Sequence, residues 1–232
     1  MDLNFISVFS LAFVDAINPC ALAITALVLM SVLLAHPDNK KKVLFAGLAF
    51  SLAVFILYFL YGAIMVRFFS SIIPATGQFS YYFYKGFALF SIVLGLLNIK
   101  DYLDYQPGGV MTEMPMSFRP KMREFVKKIT SVKGAFIIGL LVTIFLLPCT
   151  IGPYLVASGE LSKLSFFTTL PWLLLYNLIF ILPMVIITLI IYFGLTSTEQ
   201  VAEWRDRKIK KIHLIEGIIL ILLGIAMFVG WI

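Results

Sequence analysis

Apolar residues fill this chain in long runs, and polar residues collect in the short stretches between them. The runs cover residues 3–35, 43–66, 81–99, 134–157, 166–195 and 212–231. Each reaches the roughly 18 residues that mark a helical membrane span, and none alternates with the period of a strand. The first run is longer than one straight crossing needs, and Asn18-Pro19 explains the surplus. Proline cannot donate the hydrogen bond that continues a helix, but it suits the first helical position, and asparagine caps a helix start. A half-helix is therefore expected from Pro19, with Cys20 in its first turn. The fourth run meets the same obstacle at Pro148-Cys149 and again at Gly152-Pro153, so it too is expected to break. Pro171 and Pro183 predict kinks in the fifth. A helix broken at membrane depth persists only where protein or a water-filled cavity satisfies the freed backbone groups.

Composition fixes the class. With 61% hydrophobic and 13% charged residues, the chain reads as an all-α integral membrane protein, with lipid around it. The formal net charge of +6 then concerns orientation and gives no sign of a nucleic-acid partner. Fifteen of the lysines and arginines fall in 36–42, 100–133 and 196–211, against Arg67, Lys85 and Lys163 on the other side. The positive-inside bias places those three stretches in the cytoplasm. Both termini are then extracytoplasmic, in a multi-pass protein of the plasma membrane. The opening Met1-Asp2-Leu3-Asn4-Phe5 has no positive region, so no cleaved signal is expected. There is no Gly-rich phosphate loop and no zinc-spaced cluster, and His36 and His213 fall in or beside polar loops. Neither a cofactor nor a metal is expected.

The long polar insert is irregular and methionine-rich up to Pro120. Beyond it, Met122, Phe125, Val126, Ile129 and Val132 recur at helical spacing, with Lys121, Lys127 and Lys128 between them. That pattern predicts a basic amphipathic helix on the membrane surface. Docking a partner is the less favoured use.

The two halves resemble each other. Cys20 and Cys149 are 129 residues apart, and the same offset lays the second span on the fifth and the third on the sixth. Lys85-Gly86 and Gly95 fall beside Glu216-Gly217 and Gly224. The expected architecture is six transmembrane helices in two three-helix repeats, 1–99 and 134–232, joined by a linker over 100–133. Three spans per repeat forces opposite orientations, an inverted repeat.

The chain has two cysteines, and each follows a proline inside an apolar run. A thiolate attacks disulfides, and a half-helix start offers free N–H groups and the positive end of the dipole, while apolar surroundings oppose any charge. Inverted repeats bring matching elements together near the midplane, and a disulfide needs Cα atoms within about 7 Å. A small buried hydrophobe and a permanent structural disulfide are the plainer readings of such cysteines. Neither explains why each sulfur sits at a proline.

These features resemble a known family. Asn18-Pro19-Cys20 in the first span, Leu147-Pro148-Cys149-Thr150-Ile151-Gly152-Pro153 in the fourth, and the paired halves resemble the CcdA proteins of cytochrome c biogenesis, relatives of the DsbD transmembrane domain. Members commonly carry prolines after the first cysteine, where this chain has Ala21-Leu22-Ala23. The resemblance implies thiol–disulfide oxidoreductase-type electron transfer. Cytoplasmic thioredoxin would reduce a Cys20–Cys149 disulfide, and the dithiol would reduce a thioredoxin-like protein outside. Asp15, five residues before Cys20, is a candidate for proton handling, since a carboxylate inside a span is a functional candidate by default. Asn177 reads as an interhelical hydrogen-bonding residue. The competing reading is a small inverted-repeat secondary transporter of a solute or metal ion. Its weakness is that the breaks offer mainly Asn18, Cys20, Cys149 and Thr150.

Overall fold

The computed structural model describes residues 5–17, 19–72, 78–105, 120, 124–126, 131–162 and 164–229. The helices that organise the fold are α1 (Phe5–Ala16), α2 (Pro19–Ala35), α3 (Lys40–Ile72), α4 (Gln78–Leu103), α5 (Val132–Leu161), α6 (Phe166–Tyr192) and α7 (Thr198–Val229). Within α3, α4, α6 and α7, the segments Lys40–Ser71, Lys85–Leu103, Phe167–Tyr192 and Asp206–Val229 are long and apolar enough to cross a membrane. Helices α1 and α2 meet that test together, bent by 45°. The protein is an all-α integral membrane protein. Most of the expected surface helix lies outside the described residues. Of its apolar positions, Phe125 is exposed and Val126 buried.

Each span has an apolar outer stripe. On α3, Phe45, Leu52, Ile56, Leu60, Ile64 and Phe68 are exposed, mostly four residues apart, while Val43, Ala46, Phe50, Val54 and Tyr58 are buried. On α6, Leu174, Leu178, Leu182 and Ile186 face outward, against Leu173, Tyr176, Phe180 and Met184 inward. Lipid tails are as apolar as leucine, so what distinguishes the interior is small size and hydrogen bonding. Buried hydroxyls bond back one turn: Thr25 to the Ala21 carbonyl at 2.8 Å, Ser51 to Gly47 at 2.9 Å, Thr143 to Gly139 at 2.6 Å and Thr188 to Met184 at 2.8 Å. These four hydroxyls are thereby satisfied inside the bundle.

Close contacts fix the direction of each helix. Gly139 of α5 lies against Phe50 and Ala53 of α3, and Tyr154 lies against Gly62, so these two run the same way. Gly47 meets Thr188 and Gly62 meets Leu173, so α6 runs opposite to α3. Gly47 also meets Leu29, which sets α2 antiparallel to α3 across the turn at 36–39. Helices α4 and α7 form the most extensive pair. A methyl group on Gly95 would lie 2.7 Å from the Gly217 carbonyl oxygen, and one on Gly224 would lie 2.8 Å from that of Ala88. Gly95 also meets Ile221, and Gly224 meets Ile92. Between these contacts Ser91 donates to the Leu220 carbonyl at 2.8 Å, a partner 129 residues away. Gly95 and Gly224, Ala88 and Gly217, and Ile92 and Ile221 are separated by that same interval. The contacts are therefore reciprocal.

Helix ends on one side of the bundle carry local signals. The Asn39 side chain accepts the Lys42 N–H at 3.2 Å where α3 begins. Helix α6 ends in a Schellman motif: Gly194 is left-handed at φ 72°, and the Leu195 N–H reaches back to the Ile190 carbonyl at 3.1 Å. Ser197 and Gln200 form a reciprocal capping box at the start of α7, with bonds of 3.1 and 3.2 Å. Backbone N–H at that start, then Ser197, hold the Glu199 carboxyl below its ordinary range. His213, at the start of the sixth apolar run, is fully buried within α7.

Candidate functional site

The first proline motif folds as its sequence suggests. Pro19 opens α2, Cys20 stands in its first turn, and the chain bends just before them. Asn18, the expected cap, lies outside the described residues. Cys20 is buried and belongs to the central apolar cluster with Val14, Ala21 and Ile24. Its sulfur therefore sits inside protein, at a helix start, rather than toward lipid.

The second motif departs from expectation. Helix α5 continues unbroken through Pro148, Cys149, Gly152 and Pro153, so the fourth span is one helix of 30 residues. The reason lies one position earlier. Asn18 precedes Pro19 and can take over the orphaned N–H groups of a new helix, whereas Leu147 precedes Pro148 and has no oxygen to offer. Breaking α5 there would strand more backbone groups than the two missing proline donors do. The side chains of 145–152 lie outside the description, and Pro153 is buried. Helix α6 likewise passes through Pro171 and Pro183.

Asp15 occupies the last turn of α1 and is only 1% exposed. Its Oδ2 accepts a hydrogen bond from the Tyr176 hydroxyl of α6 at 3.1 Å, while Oδ1 has no partner among the described residues. The Tyr176 ring meets the edge of Tyr154 at 5.3 Å between centroids, and Tyr154 in turn meets Tyr58 at 5.4 Å. The Tyr154 hydroxyl donates to the Tyr58 carbonyl oxygen. Tyr58 stacks on Phe180 at 4.5 Å. Asn177 is fully buried, donates to Leu173 at 2.7 Å, and leaves its Oδ1 unbonded. Its amide thus bonds within its own helix turn, and its side chain also lies in hydrogen-bonding contact with the Tyr154 hydroxyl of α5, the interhelical role expected of it.

The three tyrosines escaped the sequence reading. Their signal was available, since a tyrosine deep in an apolar span needs a partner for its hydroxyl. A second buried polar group lies between α4 and α7. There His213 Nδ1 is 2.9 Å from Asn98 Oδ1 and 3.7 Å from Glu216 Oε2. On the same pair of helices, Lys85 lies over the Tyr81 and Phe228 rings, at 4.6 Å from each.

Comparison with known proteins gives one finding that covers nearly all of this architecture. The family model described as the cytochrome C biogenesis protein transmembrane region matches residues 7–226. No curated protein and no solved structure matched.

Proposed function

Because this chain belongs to the family of cytochrome c biogenesis transmembrane regions, we propose that it carries electrons across the plasma membrane by thiol–disulfide exchange at Cys20 and Cys149. Cytoplasmic thioredoxin is the donor and a thioredoxin-like protein outside is the acceptor, as in cytochrome c maturation. Each half-reaction breaks one S–S bond, forms another and moves two electrons. The observation that carries this reading is the burial of Cys20 at the first turn of a half-helix, at a bend in the membrane interior. A sulfur placed only to fill space needs neither the bend nor the proline.

The reciprocal contacts across α4 and α7 support two inverted repeats related by the 129-residue offset. Such a relation sets α1–α2 opposite α5, with Cys20 and Cys149 at corresponding positions of the two repeats. The cytoplasmic side is the one that carries 36–42 and 196–211, whose lysines and arginines stay in water. Neither thioredoxin-like partner can enter the bilayer, because its polar surface would lose several kcal/mol per unpaired group. The cysteines must therefore become reachable from each side in turn. Alternation of the scaffold supplies that, with the half-helix that begins at Pro19 and the stretch of α5 around Pro148 and Gly152-Pro153 as the movable parts.

The test is alkylation with a mass-shift reagent on the native membrane protein. Treatment with reductant should add two adducts per chain. Cys20→Ser and Cys149→Ser should each abolish transfer and leave the fold intact, because an alkoxide does not exchange with disulfides. Two free thiols under every oxidising condition would rule the carrier out.

A further inference from the structure

The lipid-facing surface of two spans runs into a cavity at one end of the bundle. The contacts Gly47–Thr188 and Gly62–Leu173 set the register of the antiparallel helices α3 and α6. In that register the outward residues Phe45, Leu52, Ile56 and Leu60 of α3 lie level with Leu189, Leu182, Leu178 and Leu174 of α6. From Phe45 to Phe68 the outer stripe of α3 rises about 35 Å, close to the roughly 30 Å of bilayer hydrocarbon. One turn beyond Phe45 comes Lys41, and one turn beyond Leu189 comes Phe193. Both are exposed. They stand where hydrocarbon gives way to headgroups. There a cavity of about 840 Å³ opens to the surface. Asp38, Asn39, Lys40 and Lys41 line it from the turn and the start of α3, and Tyr192 and Phe193 from the end of α6.

The lining suits an anion. Lys40 Nζ lies 3.3 Å from the point where a Cβ on Gly194 would sit, so this ammonium is held against the C-terminal turn of α6. Neither Lys40 nor Lys41 forms an ion pair among the described residues, although Asp38 lines the same cavity. Two ammonium groups against one carboxylate leave the lining net positive. Tyr192 and Phe193 match the interfacial zone, where aromatic rings sit at headgroup level. We propose that this cavity binds the phosphate headgroup of an anionic phospholipid, whose acyl chains lie along the outward stripes of α3 and α6. Basic pockets between spans take such headgroups. The occupant is a lipid and not a soluble phosphate, because both walls of the cavity continue into lipid-facing stripes. The bound phosphate bridges the start of α3 and the end of α6. Helix α7 supplies the contrast. Its outward stripe of Ile215, Ile218, Leu222 and Ile225 also continues into exposed lysines, Lys211 and Lys208, but these do not line the cavity.

The test uses the full chain, purified in detergent, stripped of lipid and titrated with dioleoyl phosphatidylglycerol or dioleoyl phosphatidylcholine. Native mass spectrometry counts the lipid bound. The parent should bind phosphatidylglycerol about tenfold more tightly than the zwitterionic lipid. Lys40→Gln combined with Lys41→Gln should weaken that binding about twentyfold, since each lysine at an anionic surface contributes roughly fivefold. Lys208→Gln combined with Lys211→Gln should leave it at the parental value, and Asp38→Asn should tighten it severalfold. Glycerol phosphate at the same concentrations should neither bind nor compete. Equal affinity for the two lipids, or equal losses in the two lysine pairs, overturns the proposal, because charge near the bilayer then attracts lipid without a site. Displacement of the lipid by glycerol phosphate makes the cavity a site for soluble phosphate and overturns it as well. If the Lys40→Gln, Lys41→Gln protein does not fold, a parental affinity in Asp38→Asn overturns the proposal.

Discussion

Gly95 and Gly224 show how much one missing methyl group decides. Each lets the backbone of the facing helix come close enough that a Cβ would meet a carbonyl oxygen below 3 Å, and that neighbour is backbone, which cannot swing aside. Gly86, on the same helix as Gly95, has nothing within 4 Å of the same position. Gly95→Leu and Gly224→Leu should each cost at least about 1–3 kcal/mol, the usual range for overpacking a closed interface. Gly86→Leu should be neutral. The thermal midpoint of the purified protein in detergent measures all three. Equal midpoints for Gly95→Leu and Gly86→Leu would contradict the close crossing of α4 and α7.

Among the elements, the two proline-bearing spans carry the sharpest contrast. Pro19 ends one helix and starts another, whereas Pro148 and Pro153 sit inside a continuous one. Proline at 153 cannot donate to the carbonyl of residue 149, so the turn holding Cys149 lacks a bond that every ordinary turn has. That makes the middle of α5 easier to bend than its ends. Pro148→Ala and Pro153→Ala restore the missing donors and should stiffen it. An impermeant thiol reagent, applied from each side separately to the reduced protein, should reach the parent cysteines from both sides. In the proline variants it should lose access from at least one. Unchanged access would mean that the prolines shape a static cavity, and alternation would have to be given up.

Over the whole molecule, the distribution of charge predicts the orientation. Impermeant labels or reporter fusions should place 40–42, 100–133 and 205–211 in the cytoplasm. Labelling of the 100–133 insert from outside intact cells would reverse it.

The sequence by itself determined the all-α membrane class and the two Pro-Cys positions. Hydropathy over some 20 residues is a local property, and a bilayer leaves helices as the only way such segments satisfy their backbone. The bend before Cys20 was equally legible, because Pro19 suits the first position of a helix and not its interior. The 129-residue offset also showed in the sequence, as paired cysteines and glycines. The tertiary structure decided the rest. Whether a proline breaks a helix depends on what else can bond the freed groups, and Leu147 offered nothing where Asn18 could. Which tyrosine hydroxyl would find which partner depends on helix directions and rotations that no single span encodes. Only packing brought Tyr176 of the fifth span to Asp15 of the first, and only packing buried His213 beside Asn98.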